Sequence, residues 1–146
     1  MKSLFIFVII YVAMIATSFW EAYTEGRNAW AKGKIGWKIK IGKSFQLTAY
    51  HFWVFWIMFP ALLSLSILTN GWDIKLFGVL ISAYFSGLVV EDFFWYLVNP
   101  KVKFKELWSP FSDYYPWVKF HNRKIIPIGY IFGIGVAILS WYFLWS

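Results

Sequence analysis

Four long apolar runs dominate this chain and leave little else for it to become: Leu4–Trp20, Leu47–Thr69, Leu76–Val98 and Ile125–Trp145. A helix needs about 20 predominantly apolar residues to cross a bilayer, so four helices need about 80. The chain has 146 residues and 60% of them are apolar, which supplies about 88. A soluble domain carries about 25% charged residues, whereas this chain carries 14%, at a mean hydropathy of +0.58. These figures exclude a water-soluble enzyme and a disordered tail. The expected fold is all-α: a single integral membrane domain over residues 1–146, built as one four-helix transmembrane bundle. Its spans are expected near 4–24, 47–69, 75–98 and 125–145. The first run is short, so its helix should continue through Glu21 toward Trp30. The alternative for that run is a secretory signal peptide made of Lys2, an apolar core and the small residues Ala16 and Ser18.

Basic residues set the orientation. Lys2 and Lys75 fall on one side of the spans. Arg27, Lys32, Lys34, Lys38, Lys40, Lys43, Lys101, Lys103, Lys105, Lys119, Arg123 and Lys124 fall on the other, a ratio of 2 to 12. The positive-inside rule then places both long basic loops in the cytoplasm and both termini outside, in the cell (inner) membrane. Trp20, Trp30, Trp72, Trp108, Trp117, Trp141 and Trp145 stand at span edges, where interfacial anchoring accounts for them. The absence of cysteine removes disulfides, iron–sulfur clusters, thiolate metal sites and cysteine nucleophiles.

Segment 34–43 nearly alternates, with Ile35, Trp37, Ile39 and Ile41 against Lys34, Lys38 and Lys40, which predicts a short extended piece or hairpin on the membrane surface. Lys101, Lys103 and Lys105 repeat that grammar, and Pro100, Pro110 and Pro116 break the third loop into short pieces. Such basic clusters attract anionic lipid headgroups at about 1 kcal/mol per residue. Lys119, Arg123 and Lys124 are the residues expected to hold a headgroup. No nucleic-acid-binding module is recognisable, so nucleic acid is not an expected partner. Gly129, Gly133 and Ala137 recur at four-residue spacing and form a packing stripe for a helix of this chain or of a second copy, a homodimer.

Candidate chemistry rests on seven carboxylates and two histidines, of which only Asp73 lies on the outer side. Glu21 and Glu25 share a helix face, and Asn28 extends it. His51 stands just inside the second span. Glu91 lies about 12 Å inside the end of the third helix, deep against a hydrocarbon half-thickness of about 15 Å. A carboxylate there marks a functional site by default. Glu91 and Asp92 diverge by about 100° on a helix, so Gly87 and Glu91 take one face while Asp92, Tyr96 and Asn99 take another. The expected metal ligands are Glu21, Glu25, His51, Glu91 and His121, with Asp92, Asn99, Asn28 and Tyr96 as their supports. Oxygen donors with one or two imidazoles suit iron, manganese or zinc. A bound metal would allow action on a lipid or other apolar substrate. Two other readings fit the same residues. One is a proton-coupled small transporter acting as a dimer. The other is a structural or accessory subunit whose acids form a polar plug with Arg27, His51 and Tyr96.

Three segments carry a resemblance. They are Glu21-Ala22-Tyr23-Thr24-Glu25-Gly26-Arg27-Asn28-Ala29-Trp30, Leu47-Thr48-Ala49-Tyr50-His51, and Val90-Glu91-Asp92-Phe93-Phe94-Trp95-Tyr96-Leu97-Val98-Asn99-Pro100. The chain resembles an uncharacterised family of small prokaryotic four-span membrane proteins, in which a Trp- and His-bearing loop follows the last segment; Trp117 and His121 stand there. Ala49 takes the place of a glycine in that pattern, and the loop has one histidine where the pattern suggests a pair. The resemblance implies the four-span fold and no activity.

Overall fold

The computed structural model describes residues 2–29, 35–41 and 45–146. Trp30, Lys32, Lys34 and Lys43, named above, lie outside the described residues. The chain is mostly helical, with four helices long and apolar enough to cross a membrane: α1 (Lys2–Glu25), α2 (Ala49–Asn70), α3 (Ile74–Val98) and α4 (Ile128–Trp145). The first helix does run past its apolar stretch and ends at Glu25, one residue before Gly26, whose φ of 56° is a left-handed stop.

Local chemistry sets the other boundaries. Thr48 caps α2, its hydroxyl accepting from the His51 amide at 3.3 Å. Asp73 caps α3 through the Leu76 amide at 2.8 Å. Asn99 closes α3 ahead of Pro100. Within α2 the stretch Phe52–Met58 is wound as a π-helix, immediately before Pro60. Proline has no N–H to donate and crowds the preceding turn, and a widened turn relieves that crowding inside a membrane helix.

The sequence expectation of an all-α chain needs one correction. Two antiparallel hairpins occupy the loops. Strand β1 (Lys38–Ile41) pairs with β2 (Phe45–Thr48), and β3 (Trp117–Phe120) pairs with β4 (Arg123–Pro127). The last helix therefore starts at Ile128, because Ile125, Ile126 and Pro127 are spent in β4. Between α3 and β3 the prolines leave only two short 3₁₀ turns, Phe104–Trp108 and Pro110–Ser112.

Helix α3 is the centre of the bundle: 44% of its apolar window is buried, against 11% for α2. Lipid gives helices no hydrophobic reason to associate, so close approach and hydrogen bonds hold them. Gly87 admits Met14 and Ile10 of α1, and Gly133 of α4 sits on Val89 and the Phe85 carbonyl. Hydroxyls tie the helices to one another's backbones: Ser18 to the Glu91 carbonyl at 2.7 Å, Ser82 to that of Ala137 at 2.9 Å, and Ser140 to that of Gly78 at 2.8 Å. The Tyr84 hydroxyl donates to the Phe55 carbonyl, which fastens α2.

Beneath the helices, Arg27 gathers the loop. Its guanidinium takes both Glu106 oxygens at 3.1 and 2.7 Å, the Lys101 carbonyl at 2.8 Å, and lies over the Phe111 ring. Asn99 donates to the Gly26 carbonyl at 2.8 Å and accepts from the Lys101 amide at 2.8 Å. These bonds hold residues 99–116 against the ends of α1 and α3, which brings Tyr114 and Tyr115 under the bundle.

Candidate metal centre

Glu21 and Glu25 occupy the last two turns of α1, four residues apart and on one face. His51 stands in the first turn of α2. One donor atom from each of these three residues lies within 4.8 Å of the other two, with Glu21 and His51 buried and Glu25 half-buried. Glu91 of α3 is buried beside Glu21 and lines the same cavity. Tyr50 stands beside Glu21. The His51 Nδ1 is 2.6 Å from the Thr48 hydroxyl. Thr48 therefore both caps α2 and fixes the imidazole plane.

Asp92 faces elsewhere, as helical geometry requires of the residue next to Glu91. Its two oxygens accept from the hydroxyls of Tyr115 and, at 2.5 Å, Tyr130. Tyr96 and Tyr114 share a hydrogen bond at 2.6 Å beside them. In the loop, burial raises the pKa of Tyr115, and Asp92 raises it further; burial likewise raises that of Tyr114. Both remain protonated donors. At the loop surface, Glu106 is held down to about 2 by the hydrogen bonds from Arg27 and the Lys103 backbone, and Arg27 is raised in turn.

Both acidic groups open on one cavity of about 400 Å³, within the range of small-molecule sites. Glu21, Glu25, His51, Glu91 and Asp92 line its polar end, with Trp95, Tyr114, Tyr115 and Tyr130 around them. Phe55 and Trp56 of α2, Phe85, Leu88 and Val89 of α3, and Gly129, Phe132 and Gly133 of α4 line the rest.

The structure thus gathers Glu21, Glu25, His51 and Glu91, with Asp92 one step away. It does not bring His121 to them. That residue is exposed at the tip of the β3–β4 hairpin, at φ 45°, with its ring edge-on to Phe120, and it does not line the cavity. Asn99 latches the loop, Asn28 is exposed with its amide on the Glu25 carbonyl, and Tyr96 supports Tyr114. Lys124 is engaged within the loop: it reaches the Ser109 carbonyl at 2.5 Å, the Ser112 hydroxyl at 2.9 Å and Asp113 at 2.7 Å, while Lys119 and Arg123 are exposed. Gly133 and Ala137 contact α3 of the same chain, and Gly129 opens on the cavity. Arg27, a proposed partner of the buried acids, pairs with Glu106 instead.

Sequence reasoning missed Thr48, Trp95 and the three tyrosines. Tyr130 carried a usable signal, since it stands at the loop end of the last span, level with Asp92. Tyr114 and Tyr115 lie in a non-periodic loop and carried none.

Fold and site together define a chain with four candidate membrane spans, compatible with a multi-pass membrane protein, that holds a carboxylate–histidine group at one end of its bundle. Compared with family models, curated proteins and solved structures, the chain matches none.

Proposed function

We propose that the chain is an integral membrane metalloprotein that binds one iron, manganese or zinc ion at Glu21, Glu25 and His51, with Glu91 as the neighbouring carboxylate. The convergence of these three donors within 4.8 Å, from two helices, carries the reading. Two carboxylates and an imidazole are a donor set that such ions accept. In the tautomer that donates Nδ1–H to Thr48, Nε2 keeps its lone pair for a metal, the usual arrangement of a ligating histidine and its outer partner. A metal held by these residues would supply Lewis-acid activation of a water beside the apolar cavity. The charge bias supports an orientation with this end of the bundle at the cytoplasmic face and both termini outside. The two basic hairpins would then lie on anionic headgroups.

The test is elemental analysis of detergent-purified protein without added chelator, wild type beside Glu21→Gln and His51→Ala. Near-stoichiometric metal is expected in wild type, with most of it lost in either variant. Wild type that stays metal-free after reconstitution, at full folding yield, would overturn the proposal.

A further inference from the structure

The cavity is larger than a metal site requires, and most of its lining is apolar. The apolar part, called the slot below, is lined by residues of α2, α3 and α4. Its rims, Trp56 and Phe132, are 58% and 60% exposed, on helices that would face hydrocarbon. A slot open in that direction admits a molecule dissolved in the bilayer. At the polar end two atoms call for a ligand. Trp95, 4% exposed, and Glu91, 6% exposed, both line the cavity, and neither Trp95 Nε1 nor Glu91 Oε1 has a hydrogen-bond partner among the described residues. They stand four residues apart on α3, on one face and one turn from each other. The indole N–H needs an acceptor and the carboxylate oxygen needs a donor. Such unsatisfied buried groups are rare enough to demand a partner.

We infer that this cavity binds a single-chain amphiphile with an uncharged hydroxyl head, a long-chain alcohol. Its chain lies in the slot, and its hydroxyl bridges Trp95 and Glu91. One hydroxyl both donates and accepts, so it serves both atoms. An anionic head would meet acids and no lysine or arginine among the described lining residues. An ammonium head has no lone pair for the indole N–H. The inference rests on the membrane-embedded reading above, and names the substrate class of the proposed centre without requiring its metal.

The test uses the full chain in detergent micelles and a diazirine-bearing hexadecanol, beside the matched fatty acid and fatty amine. Saturable labelling by the alcohol is expected on residues 85–89 and 128–133, competed by unlabelled hexadecanol. Gly129→Leu, which grows a side chain into open space, should cut labelling at least tenfold. Trp95→Phe should weaken competition about fivefold, the loss of one hydrogen bond. Circular dichroism and elution volume verify that each variant is folded, and either variant suffices if the other is not. Labelling that does not saturate, that favours acid or amine, or that ignores both substitutions would overturn the inference. Metal is measured on the same wild-type preparation. Labelling without metal sinks only the metal proposal, and metal without labelling sinks only this one.

Discussion

Gly129 and Gly133 stand one turn apart on α4 and meet opposite surroundings. A Cβ added at Gly133 would lie 2.8 Å from Val89 Cγ2 and 3.0 Å from the Phe85 carbonyl oxygen. One neighbour is a branched side chain held close to its own backbone, and the other is backbone, so neither yields cheaply. A Cβ at Gly129 would meet nothing within 4 Å. Replacing glycine by alanine in a helix gains up to about 1 kcal/mol in propensity, and that gain is common to both positions. In the difference between Gly129→Ala and Gly133→Ala it cancels, leaving the overpacking cost of about 1–3 kcal/mol. Gly129→Ala should therefore raise stability, while Gly133→Ala should be less stable than it by that margin. Equilibrium unfolding of the two variants and wild type in mixed micelles reads the difference directly. The margin should not change with protein concentration, because the contact lies within one chain. Equal stabilities, or a margin that shrinks on dilution, would refute the packing argument; the second would point to a contact between copies.

Thr48→Val removes the cap of α2, at about 0.5–2 kcal/mol, and frees the His51 ring, which should cost 10- to 100-fold in metal affinity. Thr48→Ser should restore both, as read by unfolding and metal titration; unchanged affinity in Thr48→Val would refute the orienting role. Glu106 has a native pKa lowered to about 2 from 4.5, so its stabilising contribution is complete above the ordinary value and is lost as pH falls through about 2. Melting curves between pH 6 and pH 2 should fall less steeply for Glu106→Gln than for wild type, and parallel curves would refute the assignment. Metal at 100 times its Kd stabilises the form that binds it by about 2.7 kcal/mol. Since His51 ties the least buried of the spans, α2, to the acids of α1, chelation should speed amide exchange in residues 49–55 by up to about 100-fold while α3 stays protected.

Much of this was legible because membrane helices and helix faces are periodic. The four apolar runs predicted the four helices, and the spacing of Glu21 and Glu25 predicted a shared face. The 100° between Glu91 and Asp92 predicted two directions, which the structure fills with Glu21 and with Tyr115 and Tyr130. Alternation predicted the extended strand Lys38–Ile41, whereas its partner Phe45–Thr48 takes Leu47 and Thr48, the residues expected to open the second span. The second hairpin was hidden for two reasons. Its register shifts between Val118 and Lys119, which spoils the alternation, and Ile125 and Ile126 read as the start of the last span. Pro127 was the overlooked boundary signal, since proline belongs at a helix start. His121 was expected from its level at the loop end of the bundle and from the resemblance; the structure puts it exposed in the β3–β4 turn, outside the cavity lining. Thr48 entered the sequence reading only as part of the segment Leu47-Thr48-Ala49-Tyr50-His51, with no role attached. Helix capping and ring orientation come from two contacts of one hydroxyl, and no periodicity encodes them.

The two adjacent carboxylates of α3 show how the chain separates two problems. An ionised acid in an apolar bundle costs several kcal/mol unless something answers it. Asp92 is answered by the protein: two tyrosine hydroxyls converge on it, one from the loop and one from α4, and the loop is held in place by Arg27 and Asn99. That arrangement consumes the guanidinium of Arg27, which Glu106 holds outside the cavity. The group on the other face gathers Glu21, Glu25 and Glu91 with one imidazole, and among the described residues no lysine or arginine lines the cavity there. Glu21, Glu25 and Glu91 face the cavity with His51, the donor set on which the proposed metal rests. On the reading proposed above, a metal ion would answer these acids as the tyrosines answer Asp92, and the apolar lining beside them would give a bilayer-borne molecule a route to the same place.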